Sequence, residues 1–228
     1  MKLRDSFSLL SKFELALWIT SLITVACSYI FSSEYDALTL IASLIGVTAL
    51  IFVAKGMVLG QVLTVVFAVF YGIISFYFKY YGEMITYLCM TAPIAVASVI
   101  SWIRHPYKNS AEVIVNRLTR RQTSLMWVLA VLITVLFYFI LDALGNTNLI
   151  FSTLSVTTSF TASYLTLYRS PYYALAYAAN DIVLIVLWVL ATVVTPSYLP
   201  MVICFVMFFI NDMYGFINWR RMERRQKQ

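Results

Sequence analysis

An amide and a carboxylate, Asn180 and Asp181, lie near the middle of the apolar segment YYALAYAANDIVLIVLW, residues 172–188. Placing a charged side chain at the centre of a bilayer costs about 2.5–3.5 kcal/mol on insertion scales. Ionisable residues inside membrane helices therefore tend to face a cavity and to mark substrate or ion pathways. The segment predicts a polar binding site within a membrane protein, with Asp181 at its centre.

Aromatic side chains share a helix face with this pair. At spacings of three and four residues, that face collects Tyr173, Tyr177, Asn180, Asp181, Leu184 and Trp188. Aromatic stripes in membrane helices usually serve packing, and polar side chains often bond neighbouring helices for about 0.6 kcal/mol each. The presence of an ionisable group favours binding over packing, so we predict that the tyrosines, the amide, the carboxylate and Trp188 contact a ligand.

A second polar stripe is predicted on the segment 58–78, where Gln61, Thr64, Ala68, Tyr71 and Ser75 follow the same spacing. From this segment we assign Gln61, Thr64, Phe67 and Tyr71 to the same site. Helix packing alone would explain Gln61 or Thr64 taken singly.

Two further apolar segments add polar atoms at a similar depth. Thr91 and Pro93 interrupt the fourth segment, and Asn211 and Asp212 interrupt the last one. We assign Asn211 to the site. Asp212 fits a site role and pairing with arginines near the end of its helix equally well.

The chemistry of these faces predicts the kind of ligand. Aromatic rings attract flat cations, a carboxylate balances their charge, and amides bind amide or hydroxyl groups. No nucleophile with a base, no phosphate-binding glycine loop and no metal cluster can be found in the sequence, so we predict neither an enzyme nor a cofactor. Cys27, Cys89 and Cys204 fall inside apolar segments without paired spacing.

The elements that must position these residues are membrane helices. The 228 residues are 62% hydrophobic and 11% charged, against about 45–50% and 25% in soluble domains. A bilayer crossing needs about 20 apolar residues. Eight crossings are predicted, at about 13–31, 37–54, 58–78, 84–102, 123–143, 148–167, 172–194 and 198–218.

The basic residues predict the orientation. With eight crossings, Lys79 is the one basic residue of sixteen that falls opposite the termini, on the side that carries Glu34, Asp36, Glu83 and Asp142. The positive-inside rule then places both termini in the cytoplasm. Basic loops beside anionic lipid explain the net charge of +6, so nucleic acid is not a predicted partner.

An internal repeat is predicted from residues 81–104 and 198–221. At an offset of 117 residues, six identities align, among them Trp102 with Trp219 and Arg104 with Arg221. Two copies four crossings apart keep the same orientation, as in parallel repeats about an axis along the membrane normal. We therefore divide the chain into an extra helix (1–34), a first three-helix repeat (35–104), a loop and linker helix (105–145), a second repeat (146–219) and a basic tail (220–228).

Three segments carry a resemblance to a known family: FYFKYYGEM (76–84), SFTASYLTLYRSPYYALAYAANDIVLIVLW (159–188) and GFINWRRMERR (215–225). In them the chain resembles the Pnu family of bacterial vitamin transporters. The resemblance implies a SWEET-like fold of three plus one plus three helices, uptake of nicotinamide riboside without ion or ATP coupling, and trapping by a cytoplasmic riboside kinase.

One departure from the family concerns the aromatic face. Many members have a W-x-x-W pattern there, whereas this chain has Tyr172, Tyr173 and Tyr177. Thiamine or a deoxynucleoside, which related branches carry, therefore stay open as substrates. Asn180 and Asp181 match the family pattern best.

A different class of function also stays open, that of a substrate-binding subunit of an ATP-driven importer. Such a subunit needs a cytoplasmic docking surface, for which the loop 103–122 is the candidate, with EVIVNRLTRR predicted as a basic amphipathic helix that more simply lies on lipid. The sequence leaves the oligomeric state open, and a homo-oligomer is one arrangement that it allows.

Overall fold

The computed structural model describes residues 6–30, 37–77, 81–108, 110–146 and 148–228, and the regular structure within them is helical. Two isolated β-bridges in the loop after residue 104 are the exceptions there. This confirms the predicted all-α class. The long helices of the described part are α1 Lys12–Ile30, α2 Ala37–Ala54, α3 Val58–Tyr77, α4 Tyr81–Ile103, α5 Arg120–Ala143, α6 Leu149–Leu167, α7 Tyr173–Val194 and α8 Leu199–Gln226.

Seven of the described helices are long and apolar enough to cross a membrane, and α6 is the exception. Its many serine and threonine side chains lower its apolar character. Their hydroxyls donate back to the preceding turn, as Thr153 Oγ1 does to Leu149 O at 2.8 Å and Thr166 Oγ1 to Ala162 O at 2.8 Å. Several of the hydroxyls are thus satisfied within the helix, as a nonpolar environment requires.

Six helices enclose a common interior. Helix α2 packs against α3 and α8, α7 packs against α6 and α8, and α4 packs against α3 and α6. Outside them, α1 contacts α2 and α8, and α5 contacts α6. The predicted site residues lie on α3, α7 and α8, three of the helices that face this interior.

Helix α4 is irregular where it borders the interior. Residues Thr86–Thr91 form a π-helical segment between two α-helical parts. Pro93 follows directly, and proline lacks the N–H group that a regular turn would use at that point. Such π segments often occur at functional sites.

One end of the bundle, here called the basic end, carries the connections that begin at Lys55, Arg104 and Tyr168, together with the C-terminal arginines. The opposite end carries the connections α5–α6 and α7–α8. Lys2, Arg4, Glu34, Asp36 and Lys79, which entered the orientation argument, lie outside the described residues. The orientation itself stays a prediction.

The loop at the basic end is extended, so the amphipathic helix predicted for EVIVNRLTRR is wrong. Val113 N donates to Gly56 O and Ile114 N donates to His105 O, each at 2.9 Å. Consecutive β-branched residues favour this extended form. Helix α5 begins only at Arg120, after Thr119 has capped it.

The end of α8 binds this loop. The Gln226 side chain accepts from Val115 N at 2.8 Å and donates to Val113 O at 3.0 Å. Arg117 is paired with Glu223, and Arg225 is paired with Glu112. The predicted basic tail is therefore a helical continuation of α8 that is attached to the loop between α4 and α5.

Candidate functional site

A cavity lies between the six inner helices, and polar and aromatic side chains line it. Its volume is about 60 Å³. We call it the central cavity. Its lining comprises Gly46, Ala49, Leu50, Val53, Gln61, Thr64, Phe67, Tyr87, Thr91, Ser159, Tyr173, Tyr177, Asn180, Asp181, Phe205, Phe208 and Asp212.

Asn180 is oriented by the neighbouring helix α6. Ser159 Oγ donates to Asn180 Oδ1 at 3.0 Å, and Thr158 Oγ1 is 2.7 Å from the same oxygen. With its carbonyl oxygen bound to hydroxyls, the side chain presents its NH₂ group as the polar atom for a ligand. Asn180 is thus a preorganised donor in the wall of the cavity.

Two carboxyl groups, those of Asp181 on α7 and Asp212 on α8, line this cavity close enough to interact electrostatically. Both residues are about 97% buried, and Asp181 Oδ2 has no hydrogen-bonding partner among the described residues. No lysine or arginine is among the described lining residues. Two like charges this close are unfavourable unless a proton or a cation lies with them, so the pair is suited to a cationic ligand.

The opposite wall comes from α2 and α3. Gln61 is buried on α3, and Thr64 Oγ1 donates to its own helix at Gly60 O, at 2.9 Å. Gly46 on α2 allows aromatic rings to approach the backbone. A Cβ atom at this position would lie 2.5 Å from Phe208 Cζ and 3.1 Å from the Phe67 ring.

Aromatic side chains close the cavity at the basic end. The Trp102 and Trp219 rings are 5.4 Å apart, and Tyr173 contacts Trp219 edge-on at 4.8 Å. Each indole also donates a hydrogen bond to a backbone carbonyl oxygen: Trp102 Nε1 to Thr166 O at 3.0 Å, and Trp219 Nε1 to Val53 O at 2.9 Å.

Known proteins with similar sequences and structures are membrane transporters. Residues 36–221 match the family model described as nicotinamide mononucleotide transporter. The chain belongs to this family. It is 26% identical to the nicotinamide riboside transporter PnuC of Neisseria mucosa, over 97% of this chain and 86% of that protein. The crystal structure of the vitamin B3 transporter PnuC superposes with a TM-score of 0.82 at 26% identity, covering 95% of this chain and 94% of that chain.

The family establishes the class of protein. This chain is a multi-pass membrane transporter and not an enzyme. Among the described residues, no group of three or more His, Cys, Asp or Glu side chains is placed to hold a metal ion.

Seven of the ten predicted site residues of this transporter line the central cavity: Gln61, Thr64, Phe67, Tyr173, Tyr177, Asn180 and Asp181. Tyr71 lies beside the cavity, where its ring contacts Phe67 and Tyr87 at 5.5 and 4.4 Å. Trp188 lies two turns beyond Asp181, against Tyr198.

Asn211 is the predicted site residue that points elsewhere. Its Nδ2 atom donates to Ser21 Oγ of α1 at 2.9 Å and to Met207 O at 2.7 Å. Asn211 therefore does not line the central cavity in this structure, whereas its neighbour Asp212 does, and a binding role for Asn211 stays a prediction. Successive residues of a helix point about 100° apart, so the rotation of α8 about its axis decides that Asp212 lines the cavity while Asn211 contacts α1.

Other lining residues had no signal of their own in the sequence. Ala49, Leu50 and Val53 on α2 are ordinary apolar residues, and Ser159 is one hydroxyl among many on α6. The repeated dipeptide Asn–Asp, at 180–181 and 211–212, was the one available indication that α8 contributes a carboxylate as α7 does.

Proposed function

We propose that this transporter carries nicotinamide riboside across the bacterial cytoplasmic membrane. The observation that carries the proposal is the Asp181–Asp212 pair, which lines a cavity together with Asn180 and three tyrosines. The riboside has a flat pyridinium cation, which carboxylates and aromatic faces attract. Asn180 and Gln61 would bind its carboxamide or its ribose hydroxyls. The description of the family and the name of the relative both concern nicotinamide compounds.

The charge of the site favours the riboside over the mononucleotide. A mononucleotide carries a phosphate group, which proteins bind with arginine, lysine or helix N-termini. The described lining has two carboxyl groups and no lysine or arginine. A phosphate placed there would be repelled.

Thiamine is the second candidate, because it is also flat and cationic. Tyr173 and Tyr177 support it, since their hydroxyls make this face more polar than one of tryptophans. A deoxynucleoside is neutral and would leave the two carboxyl groups without a positive partner, so the site disfavours it.

We further propose eight crossings in a three-plus-one-plus-three arrangement after α1. In it, α2–α4 and α6–α8 are parallel repeats, and α5 is the linker. Trp102 and Trp219, which align at the offset of 117 residues, support this arrangement. Each donates from its indole Nε1 to the first helix of the other repeat, Trp102 to Thr166 O of α6 and Trp219 to Val53 O of α2. A two-fold axis between the repeats would produce this reciprocal pattern.

Alternating access would follow from rocking of these repeats about the central cavity. Opening toward the basic end requires Trp102 and Trp219 to separate and the loop at Glu112 and Arg117 to release the end of α8. The cavity volume of about 60 Å³ is smaller than the riboside, so binding requires the walls to move apart.

The direction and energetics complete the proposal. With the basic end in the cytoplasm, both termini are cytoplasmic and uptake runs from the opposite end. Transport needs neither ion nor ATP coupling, and phosphorylation by a cytoplasmic riboside kinase maintains the gradient. Light scattering of the purified protein in detergent decides whether the transporter is a monomer or a homo-oligomer.

An importer subunit is disfavoured by the loop at the basic end. The segment that would serve as docking surface is extended and bound to α8 through Glu112, Arg117 and Gln226. Two of its charged groups, those of Glu112 and Arg117, are thus already paired within the chain.

The deciding experiment is uptake of labelled nicotinamide riboside into proteoliposomes that contain the purified protein alone. We expect saturable uptake that excess thiamine inhibits weakly and that a protonophore leaves unchanged. Uptake of thiamine or deoxyadenosine without uptake of the riboside would refute the substrate. Collapse of uptake with the protonophore would refute uncoupled transport, and a requirement for ATP and further subunits would favour the importer.

A further inference from the structure

Two more spaces continue from the central cavity toward the end opposite the basic end. The first, which we call the neck, has a volume of about 10 Å³ and shares Tyr87 and Ser159 with the central cavity. The second, which we call the outer vestibule, has a volume of about 220 Å³ and shares Glu83, Asn146 and Ser152 with the neck. The three spaces lie in series, and the widest is the outermost.

A carboxylate lies at the junction of the neck and the outer vestibule. Glu83 Oε2 is buried and has no hydrogen-bonding partner among the described residues. The hydroxyls of Tyr71 and Tyr87 face it, and no lysine or arginine is among the described residues that line either space. A buried carboxylate oxygen without a partner among the described residues is costly inside a membrane protein, so a role at this position is expected. Nothing in the chemistry of the central cavity uses it.

The walls of the outer vestibule resemble those of the central cavity in kind. Trp188 and Tyr198 contribute aromatic rings, 5.5 Å apart and nearly perpendicular. Asn146 Nδ2 donates to Ser152 Oγ at 2.7 Å on the polar side. A carboxylate, aromatic faces and amides again form one site, and here the volume is larger.

We propose that the outer vestibule is a loading site, where the flat cation is held against Trp188 and Tyr198 by Glu83 before it passes through the neck. The proposal rests on the proposed function for the substrate and for the direction of uptake. Glu83 then precedes the Asp181–Asp212 pair along the route, and the cation moves from one carboxylate to the next as the neck opens. A negative group in a low-dielectric passage also raises the local concentration of cations. This assigns Trp188 to the loading site and not to the central cavity.

The test compares uptake of the cationic riboside with uptake of its reduced dihydropyridine form, which is neutral and nearly the same size. In proteoliposomes, Glu83→Gln should raise the KM for the cation about ten-fold and change the KM for the neutral form less than two-fold. Asp142→Asn is the matched control, because Asp142 is exposed and does not line these spaces. A KM for the cation that equals the wild-type value, or an equal rise for both forms, would overturn the loading site.

A second variant adds charge where Glu83→Gln removes it. Asn148 lines the outer vestibule just before α6, with a φ of 58° that aspartate also tolerates. Asn148→Asp should lower the KM for the cation at least three-fold, while a neutral or opposite effect on the cation would overturn the proposal. A merely structural effect of either substitution would not reverse sign with charge.

The outcome also separates this proposal from the function itself. If the wild type takes up the riboside and both Glu83→Gln and Asn148→Asp have the wild-type KM, the loading site is refuted. The proposal that the protein transports the riboside is then unaffected. Absence of uptake of both riboside forms by the wild type would refute the proposed function, and the loading site with it.

Discussion

Replacing Asp181 by asparagine tests the electrostatic basis of binding directly. Asp181→Asn keeps the shape of the side chain and removes its negative charge from the central cavity. The unpartnered Oδ2 atom is the one on which a cation would rely. We expect weaker binding of nicotinamide riboside with little change in the fold.

The magnitude follows from the arrangement of the two carboxyl groups. Two unit charges about 4 Å apart attract by about 4 kcal/mol at an effective dielectric constant of about 20. Asp212 faces the same cavity and retains its own attraction for the cation, and the new amide keeps a dipole in place. We expect about half of that attraction to be lost, about 2 kcal/mol, which corresponds to about a thirty-fold rise in Kd.

Isothermal titration calorimetry of the purified protein in detergent measures this change. The cationic riboside should bind about thirty-fold more weakly to Asp181→Asn, whereas the neutral dihydropyridine form should bind with less than a three-fold change. Asp142→Asn, at an exposed carboxylate on α5, serves as the control for the loss of one charge. An equal loss of affinity for both riboside forms, or undiminished binding of the cation, would refute the electrostatic argument.

Three further predictions concern other parts of the bundle. Glu14→Gln should lower the melting temperature by an amount equivalent to about 3 kcal/mol. The reason is that buried Glu14 accepts hydrogen bonds from Lys55 Nζ at 2.9 and 3.1 Å and from Tyr214 Oη at 2.7 Å. A melting temperature equal to that of Asp142→Asn would contradict this prediction. Trp219→Ala should cost about 3–5 kcal/mol in a thermal unfolding assay, since the indole is fully buried, whereas Trp127→Ala at an exposed position should cost much less. Gly46→Ala should weaken riboside binding about ten-fold, because its Cβ would push the Phe208 and Phe67 rings into the cavity; affinity equal to wild type by calorimetry would show that the rings yield freely.

The helical membrane architecture was predictable from the sequence, because it depends on local properties. Length and apolar character of each segment decide whether a helix can lie in a bilayer, and the segments 37–54, 58–78 and 172–194 match α2, α3 and α7 within one residue. Helical spacing likewise placed Tyr173, Tyr177, Asn180 and Asp181 on one face. The cost of a buried carboxylate then predicted that this face would border a cavity.

The loop at the basic end could not be read in the same way. The segment at 112–121 has the charges of an amphipathic helix, yet its β-branched residues pair with Gly56 and His105, and its polar groups bind the end of α8. Gly56 and the end of α8 lie far away in the chain. Their contribution outweighs the local helix propensity, which is a weak preference that tertiary contacts override.

The order of residues along each segment predicts a bundle of membrane helices in which α7 presents aromatic rings, an amide and a carboxylate on one face, because periodicity and desolvation act along a single helix. Tertiary structure alone decided that Asp212 and not Asn211 completes the cavity, and that Trp188 lies in a separate outer space. The rotation of α8 about its axis and the depth of each side chain depend on packing against α1, α2 and α7. Such packing arises between helices, so no pattern within one helix encodes it.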